Sequence, residues 1–167
     1  MMDIKTTSWK LDKQDIKYIR NAVFVIEQNV PSEIDFDGLD DQSTHWLAFN
    51  EENKPIGTAR IQKDGHFGRM AVLKSYRGLG VGSQILKNGI NFARDNQMSE
   101  IWLHSQINAR GFYERFGFIA SGEIFVDAGI DHILMRKNLM LNADSEAYSG
   151  ISRVATLESR LVSKNLE

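Results

Sequence analysis

Along residues 12–30 an apolar position recurs every three or four residues, at Ile16, Ile19, Val23 and Ile26. That spacing keeps one helical face apolar and predicts a helix over 13–27, with the Asp12 carboxylate as its N-cap. Pro31 and the acidic stretch SEIDFDGLDDQ (32–42) predict the end of this helix and a loop. HWLAFNEENKPIGTARIQ (45–62) reads as a strand, a polar turn at Glu51–Pro55 and a second strand, a hairpin. HFGRMAVL (66–73) is a third strand, and the short links between the three predict antiparallel pairing.

A second amphipathic helix is traced by Val81, Ile85, Leu86, Ile90 and Ala93, running to Asn96. EIWLHSQ (100–106) lies beyond this crossover helix, so it is expected to pair parallel to strand 66–73 with a right-handed connection. ARGFYERFGF (109–118) holds a short helix stopped by Gly117, and FIASGEIF (118–125) and DHILMRKNL (131–139) form another hairpin. After Leu141 the character changes. NADSEAYSG reads as a linker, and Ile151, Val154, Leu157, Leu161 and Val162 draw a narrow apolar stripe on a last helix, 151–166. The expected architecture is α/β or α+β, one domain over 1–141 with a mixed central sheet flanked by helices, followed by a linker and amphipathic helix over 142–167.

The stretch YRGLGVGSQIL (76–86) stands where strand gives way to helix, with glycine at every second position. A Walker loop needs a lysine after its glycines, and none is there. A dinucleotide fingerprint puts Ser83 where its last Gly or Ala belongs, and Glu100 opens the next strand instead of ending it. The remaining phosphate reading fits: several backbone N–H groups gather at a helix N-terminus, where they lack helical partners and the dipole adds positive charge. By shape alone, a glycine-rich turn that merely needs positive φ is the competing explanation.

Composition narrows the chemistry. The chain has 167 residues, 42% hydrophobic and 25% charged, in keeping with one globular domain. With 20 basic and 22 acidic residues the net charge is −2, which argues against a dedicated nucleic-acid binder. There is no cysteine, so thiolate nucleophiles and Cys-based zinc sites are excluded, and the four histidines lack the close helical spacing of a zinc motif. No serine stands in a GxSxG elbow. The N-terminus has no signal-peptide core and no run approaches a membrane span, so a cytoplasmic location, no membrane and no metal are the expectations.

Arg-x-x-Gly-x-Gly, carried by Arg77, Gly80 and Gly82, resembles the acyl-CoA loop of the GNAT N-acetyltransferases. SQINARGFYERFGF (105–118) resembles the family's next strand-to-helix segment, with Asn108 after the strand and Tyr113 in the short helix. The two motifs come in family order, Arg77 and Asn108 lying 31 residues apart. VFVIEQNVP (23–31) and GEIFVDAGIDHILMRKNL (122–139) look like the small bacterial ElaA or YjcF branch. The resemblance covers residues 1–140.

It implies acetyl transfer from acetyl-CoA to a primary amine by direct attack on the thioester. It implies that Met70, Ala71 and Val72 meet the pantetheine arm, that the amides of Arg77, Gly78, Leu79, Gly80, Val81, Gly82 and Ser83 hold the pyrophosphate, and that Asn108 bonds the arm from the far side. It also implies a splay between strands 66–73 and 100–106, and Tyr113 as the acid that protonates the departing thiolate. A phenol has a suitable pKa for this, while core packing beside Phe112 and Phe116 is the alternative. Glu27 and His104 are candidate bases, with solvated and structural roles as alternatives. His45 and His132 read as structural and His66 as an exposed turn residue. The acidic loop 33–41 either draws a cationic amine or is simply solvated. The rival from another class is a non-catalytic acyl-CoA-binding regulatory module. The last helix suits either its own sheet or a second copy of the chain, which leaves a homodimer open.

Overall fold

The first strand is one the apolar pattern does not announce. In the computed structural model, which describes residues 2–140, Asp3–Ser8 is a strand (β1) ahead of the first helix. It is an edge strand with only Thr7 buried, so its sequence, DIKTTS, carries no run or alternation of large apolar residues. The linker and helix expected over 142–167 lie outside the described residues.

The first helix, α1, starts at Trp9 and runs to Arg20. Asp12 is therefore inside it, at a kink with φ −128° and ψ 29°, and not at its N-cap. The Asp12 carboxylate accepts the Thr7 hydroxyl and pairs with Lys5 Nζ at 2.7 Å, tying α1 to β1. From Asn21 to Glu27 the chain winds as a π-helix, with Gln28 N–H bonded to the Val23 carbonyl at 3.1 Å. An i→i+5 winding turns less per residue than an α-helix, so the apolar face loses phase. Ile16, Ile19 and Val23 are buried as expected, but Ile26 is 75% exposed. A single helical turn, α2 (Ser32–Asp35), follows.

Strands β2 (Thr44–Phe49), β3 (Pro55–Ile61) and β4 (Phe67–Val72) extend the sheet in the order β1-β2-β3-β4, every neighbour antiparallel. A bulge interrupts β4: Thr58 faces Ala71 and Arg60 faces Gly68, so Arg69 and Met70 together stand opposite Ala59. Arg69 takes φ +50°, a left-handed conformation rare outside glycine. Helix α3 (Val81–Asp95) lies close on the sheet; a Cβ at Gly89 would sit 2.7 Å from the Phe67 ring. Val81, Ile85, Leu86, Ile90 and Ala93 are all buried, so the predicted stripe is the packed one.

The second sheet has the order β5-β7-β6, built from β5 (Glu100–Gln106), β6 (Ile119–Asp127) and β7 (Ile130–Asn138). Between β5 and β6 lies α4 (Arg110–Glu114), with Gly117 at φ +83° turning the chain away after it. The expected parallel pairing of β4 with β5 shrinks to one bridge, His66 to Trp102, with Trp102 N–H on the Gly65 carbonyl at 3.1 Å. Past that bridge the strands belong to separate sheets, with an opening between them.

Candidate active site

Strand directions decide which backbone groups face this opening. Leu73 N–H bonds the Ile56 carbonyl of β3 at 2.9 Å. Strand residues alternate, so the backbone groups of Val72 face away from β3, toward β5, and those of Ala71 face β3. Ala71 is also buried in the core with Ile16, Ile19, Val23 and Leu47. Met70 and Val72 thus remain the β4 residues able to meet a ligand through the main chain, and Ala71 supports them from behind.

The glycine loop follows at the C-terminal end of β4. Gly78 and Gly80 take φ +75° and +84°, and a Cβ on either would meet nothing within 4 Å. These two are glycines because the backbone is left-handed there, and their outer side is open. Gly82 has ordinary helical geometry. A Cβ there would point toward Phe112 and Met70, 3.7 and 3.9 Å away, into the mouth between β4 and α4. The first bond of α3 is Gln84 N–H to the Gly80 carbonyl at 3.0 Å, which leaves the amides of Val81, Gly82 and Ser83 at the helix end. The result is a cradle of amides that fits a pyrophosphate and that side chains would fill.

Arg77 braces the loop. Its Nη1 and Nη2 donate to Glu27 Oε1 and Oε2 at 2.6 and 2.7 Å, and its Nε donates to the Val72 carbonyl at 2.9 Å. The hydrogen bonds from Arg77 hold the Glu27 carboxyl below its ordinary range. Glu27 does sit at the end of its helix beside the opening, but both its oxygens are engaged.

A cleft of about 540 Å³ runs along β4 and β5, lined among others by Phe24, Gln28, Arg69, Met70, His104, Gln106 and Tyr113. Tyr113, on α4, is 8% exposed. Its ring packs edge-on to Phe112 and Phe118, with centroids at 5.0 and 5.8 Å. Both the core packing and the access to the cleft are therefore real. Burial pushes its hydroxyl pKa well above the usual phenol value. Asn108 is exposed on the turn just after β5, and Gln106 Nε2 donates to Gln28 Oε1 at 2.8 Å, joining β5 to the end of the π-helix.

The histidines fall differently from their expected places. His45 is buried with Nε2 on the Asp40 carbonyl at 3.0 Å, and His132 Nδ1 donates to the Ile130 carbonyl at 2.8 Å. His66 is no exposed turn residue. It is half-buried and stacked flat on Trp102, 3.9 Å between centroids and 7° between planes. His104 meets Trp102 at 5.5 Å, His66 at 5.6 Å and Phe125 at 4.9 Å. Burial lowers the pKa of His104, with His132 acting in the same direction and Asp127 against it.

Within the acidic loop, Asp35, Asp37 and Asp40 are engaged by arginines, while Glu33 and Asp41 are exposed. Arg20 Nε and Nη1 donate to Asp35 and Asp40 at 3.0 and 2.6 Å. Arg60 binds Asp37 through both terminal nitrogens, at 2.9 and 2.6 Å, and Asp40 at 2.8 Å. Arg69 Nη2 reaches Asp37 at 3.1 Å. Three guanidiniums thus neutralise three carboxylates beneath one wall of the cleft. Burial outweighs the guanidinium attraction at Asp35 and raises its pKa. Burial acts the same way on Asp37, but the bonds from Arg60 and the Leu39 amide win and hold it far below the carboxylate range. The sequence does carry a trace of this network. Arg20 falls four residues after Ile16 on the buried helix face and Arg60 falls between Ala59 and Ile61, and a cation at a core position requires a buried anion.

Residues 12–139 match the family described as the acetyltransferase (GNAT) domain. The chain belongs to the GNAT acetyltransferases, whose chemistry is acyl transfer from an acyl-CoA to an acceptor. Its relatives include YjcF of Bacillus subtilis (strain 168), described as an uncharacterized N-acetyltransferase, 41% identical over 75% of this chain and 91% of that protein. They also include the protein ElaA of Escherichia coli (strain K12), 32% identical over 73% of this chain and 84% of that one. Among solved structures, Escherichia coli ElaA superposes with a TM-score of 0.73 at 28% identity, over 83% of this chain and all of that one (100%). An acyl-CoA N-acyltransferase from Pseudomonas aeruginosa superposes with a TM-score of 0.72 at 26% identity, over 82% of this chain and 99% of that one.

Proposed function

We propose that this chain transfers an acetyl group from acetyl-CoA to a primary amine by direct attack of the amine on the thioester. The observation that carries the reading is the single bridge between β4 and β5. Beyond it the strands belong to separate sheets, the amide cradle follows the C-terminal end of β4, and Tyr113 lines the cleft.

Each residue has a part in this reading. The amides from Arg77 to Ser83 hold the pyrophosphate, Met70 and Val72 bond the pantetheine arm, and Asn108 closes on it from the far side. The acceptor arrives as an ammonium, since an alkylamine has a pKa near ~10.4, and must lose a proton before it can attack. His104 takes that proton through a water: it lines the cleft, whereas Glu27 is committed to Arg77. The amine nitrogen then bonds the carbonyl carbon, and the Val72 N–H steadies the oxyanion. The C–S bond breaks, and Tyr113 gives its proton to the leaving sulfur. The phenol recovers a proton from the new amide nitrogen through water, so the net products are the acetylamide, CoA thiol and the proton held by His104.

The test is release of CoA thiol from acetyl-CoA with a panel of amines, comparing the native chain with Tyr113→Phe. Amine-dependent release that falls about 10²–10⁴-fold in Tyr113→Phe, with acetyl-CoA binding retained, supports the reading. Acetyl-CoA binding without release for any amine would favour a regulatory acyl-CoA-binding module.

A further inference from the structure

His66 stands at the closed end of the opening, where β4 and β5 meet. Three contacts hold it, two of them on the ring. Trp102 stacks beneath it, its own main-chain N–H bonds Asp64 Oδ1 at 3.0 Å, and Gln62 Nε2 lies 3.1 Å from its Nδ1. An amide nitrogen only donates, so Nδ1 is the accepting nitrogen and Nε2 carries the hydrogen. The ring makes no other hydrogen bond among the described residues, and it lines the cleft. The groups around it are Asp64, Arg60, Arg69 and His104. Burial, together with His104, Arg60 and Arg69, outweighs Asp64 and lowers its pKa to about 4. The cleft thus ends in an uncharged N–H donor with no partner among the described residues.

This donor lies beyond His104, whose ring is 5.6 Å away, on the side away from Met70. At roughly 3.3 Å per residue, His66 lies about 13 Å along β4 from Met70, somewhat less across the bulge. It cannot reach a thioester carbonyl held near Val72, so its partner belongs to the far end of the acceptor.

We infer that His66 is a specificity residue: it hydrogen-bonds an uncharged oxygen at the distal end of an extended primary amine. The acceptor class is an amine whose chain ends in a carboxamide, carbonyl or hydroxyl group. A second ammonium cannot accept from an N–H, and a bare alkyl end leaves the donor unpaired. This rests on the acetyltransferase reading above.

The experiment compares ω-amino carboxamides, n-alkylamines and α,ω-diamines of matched, increasing length by CoA release, in the native chain and in His66→Phe. Phenylalanine keeps the stack on Trp102 and removes the donor, and the melting temperature of each variant checks folding. The expected result is a carboxamide advantage of about tenfold in kcat/KM that appears only at chain lengths able to span the cleft. In His66→Phe the ratio falls to about one through KM. Imidazole ¹⁵N shifts provide a readout independent of turnover, with His66 expected as the neutral Nε2–H tautomer at pH 7. A diamine as best substrate, an advantage that survives His66→Phe, or an Nδ1–H or charged ring would overturn the inference while acetyl transfer stands. No CoA release with any amine would overturn the acetyltransferase reading and this inference with it.

Discussion

Arg77 grips both carboxylate oxygens of Glu27, at 2.6 and 2.7 Å, and with its third nitrogen bonds the Val72 carbonyl at 2.9 Å. One side chain thus links the glycine loop, the end of the π-helix and the edge of β4. The pair is partly exposed, and such pairs contribute only about 0–1 kcal/mol. Glu27→Gln is therefore expected to raise KM for acetyl-CoA by up to about fivefold and to change kcat little. Steady-state kinetics check this. A drop in kcat of about a hundredfold or more would instead make Glu27 the base.

Beneath the cleft wall the cost of losing a partner is larger. Arg20 is fully buried, and its removal leaves Asp35 and Asp40 without their closest cation. Arg20→Ala is expected to destabilise the fold by about 3–5 kcal/mol, read from urea unfolding.

The same carboxylates set the response to acid. Asp37 has a folded pKa held below its ordinary value, so its stabilisation is complete above the unfolded carboxylate value and is lost as pH falls toward the folded one. Asp35 is shifted upward, so its charged form costs stability at neutral pH and protonation relieves it. Asp37→Asn is therefore expected to flatten the loss of stability below pH ~4, and Asp35→Asn to leave that slope in place. Unfolding midpoints between pH 2 and 7 distinguish the two.

Tyr113 should leave its mark on the alkaline side. Burial raises its pKa, so the phenol stays protonated past the ordinary value of about 10. Native kcat is expected to rise as the amine and base lose their protons and then to hold level through pH ~10, without a descending limb from Tyr113. A pH–rate profile with a fall centred below pH 9 would contradict this.

The glycines separate geometry from ligand. Gly80→Ala places a side chain at φ +84° and is expected to cost about 1–2 kcal/mol of stability. Gly82→Ala meets no such strain and gains helix propensity, about 1 kcal/mol, while putting a methyl group in the cradle. The expected outcome for Gly82→Ala is a melting temperature at or above native and a weakened response to acetyl-CoA.

Much of this was legible from short-range signals. The loop announces itself because left-handed turns and a helix start need particular residues within ten positions, and α3 because five apolar residues share one face. β1 was not legible, because an edge strand with a single buried residue has no periodic signature. Ile26 follows an α-helical period that the π winding abandons. The partners of Asp35, Asp37 and Asp40 come from Arg20, Arg60 and Arg69, on three different elements, so only the fold brings them together. His66 reads as a turn residue beside Gly65 because its setting is made by Trp102, thirty-six positions on.

The most direct measurement is thermal unfolding with and without excess acetyl-CoA, with ATP and NAD as controls. A ligand bound only by the folded chain at one hundred times its Kd adds about 2.7 kcal/mol, enough to move the midpoint by a few degrees. A rise with acetyl-CoA alone, diminished in Gly82→Ala, is the predicted result. No rise with acetyl-CoA, or a rise with ATP or NAD in its place, would contradict the assignment of the amide cradle and of the reaction built on it.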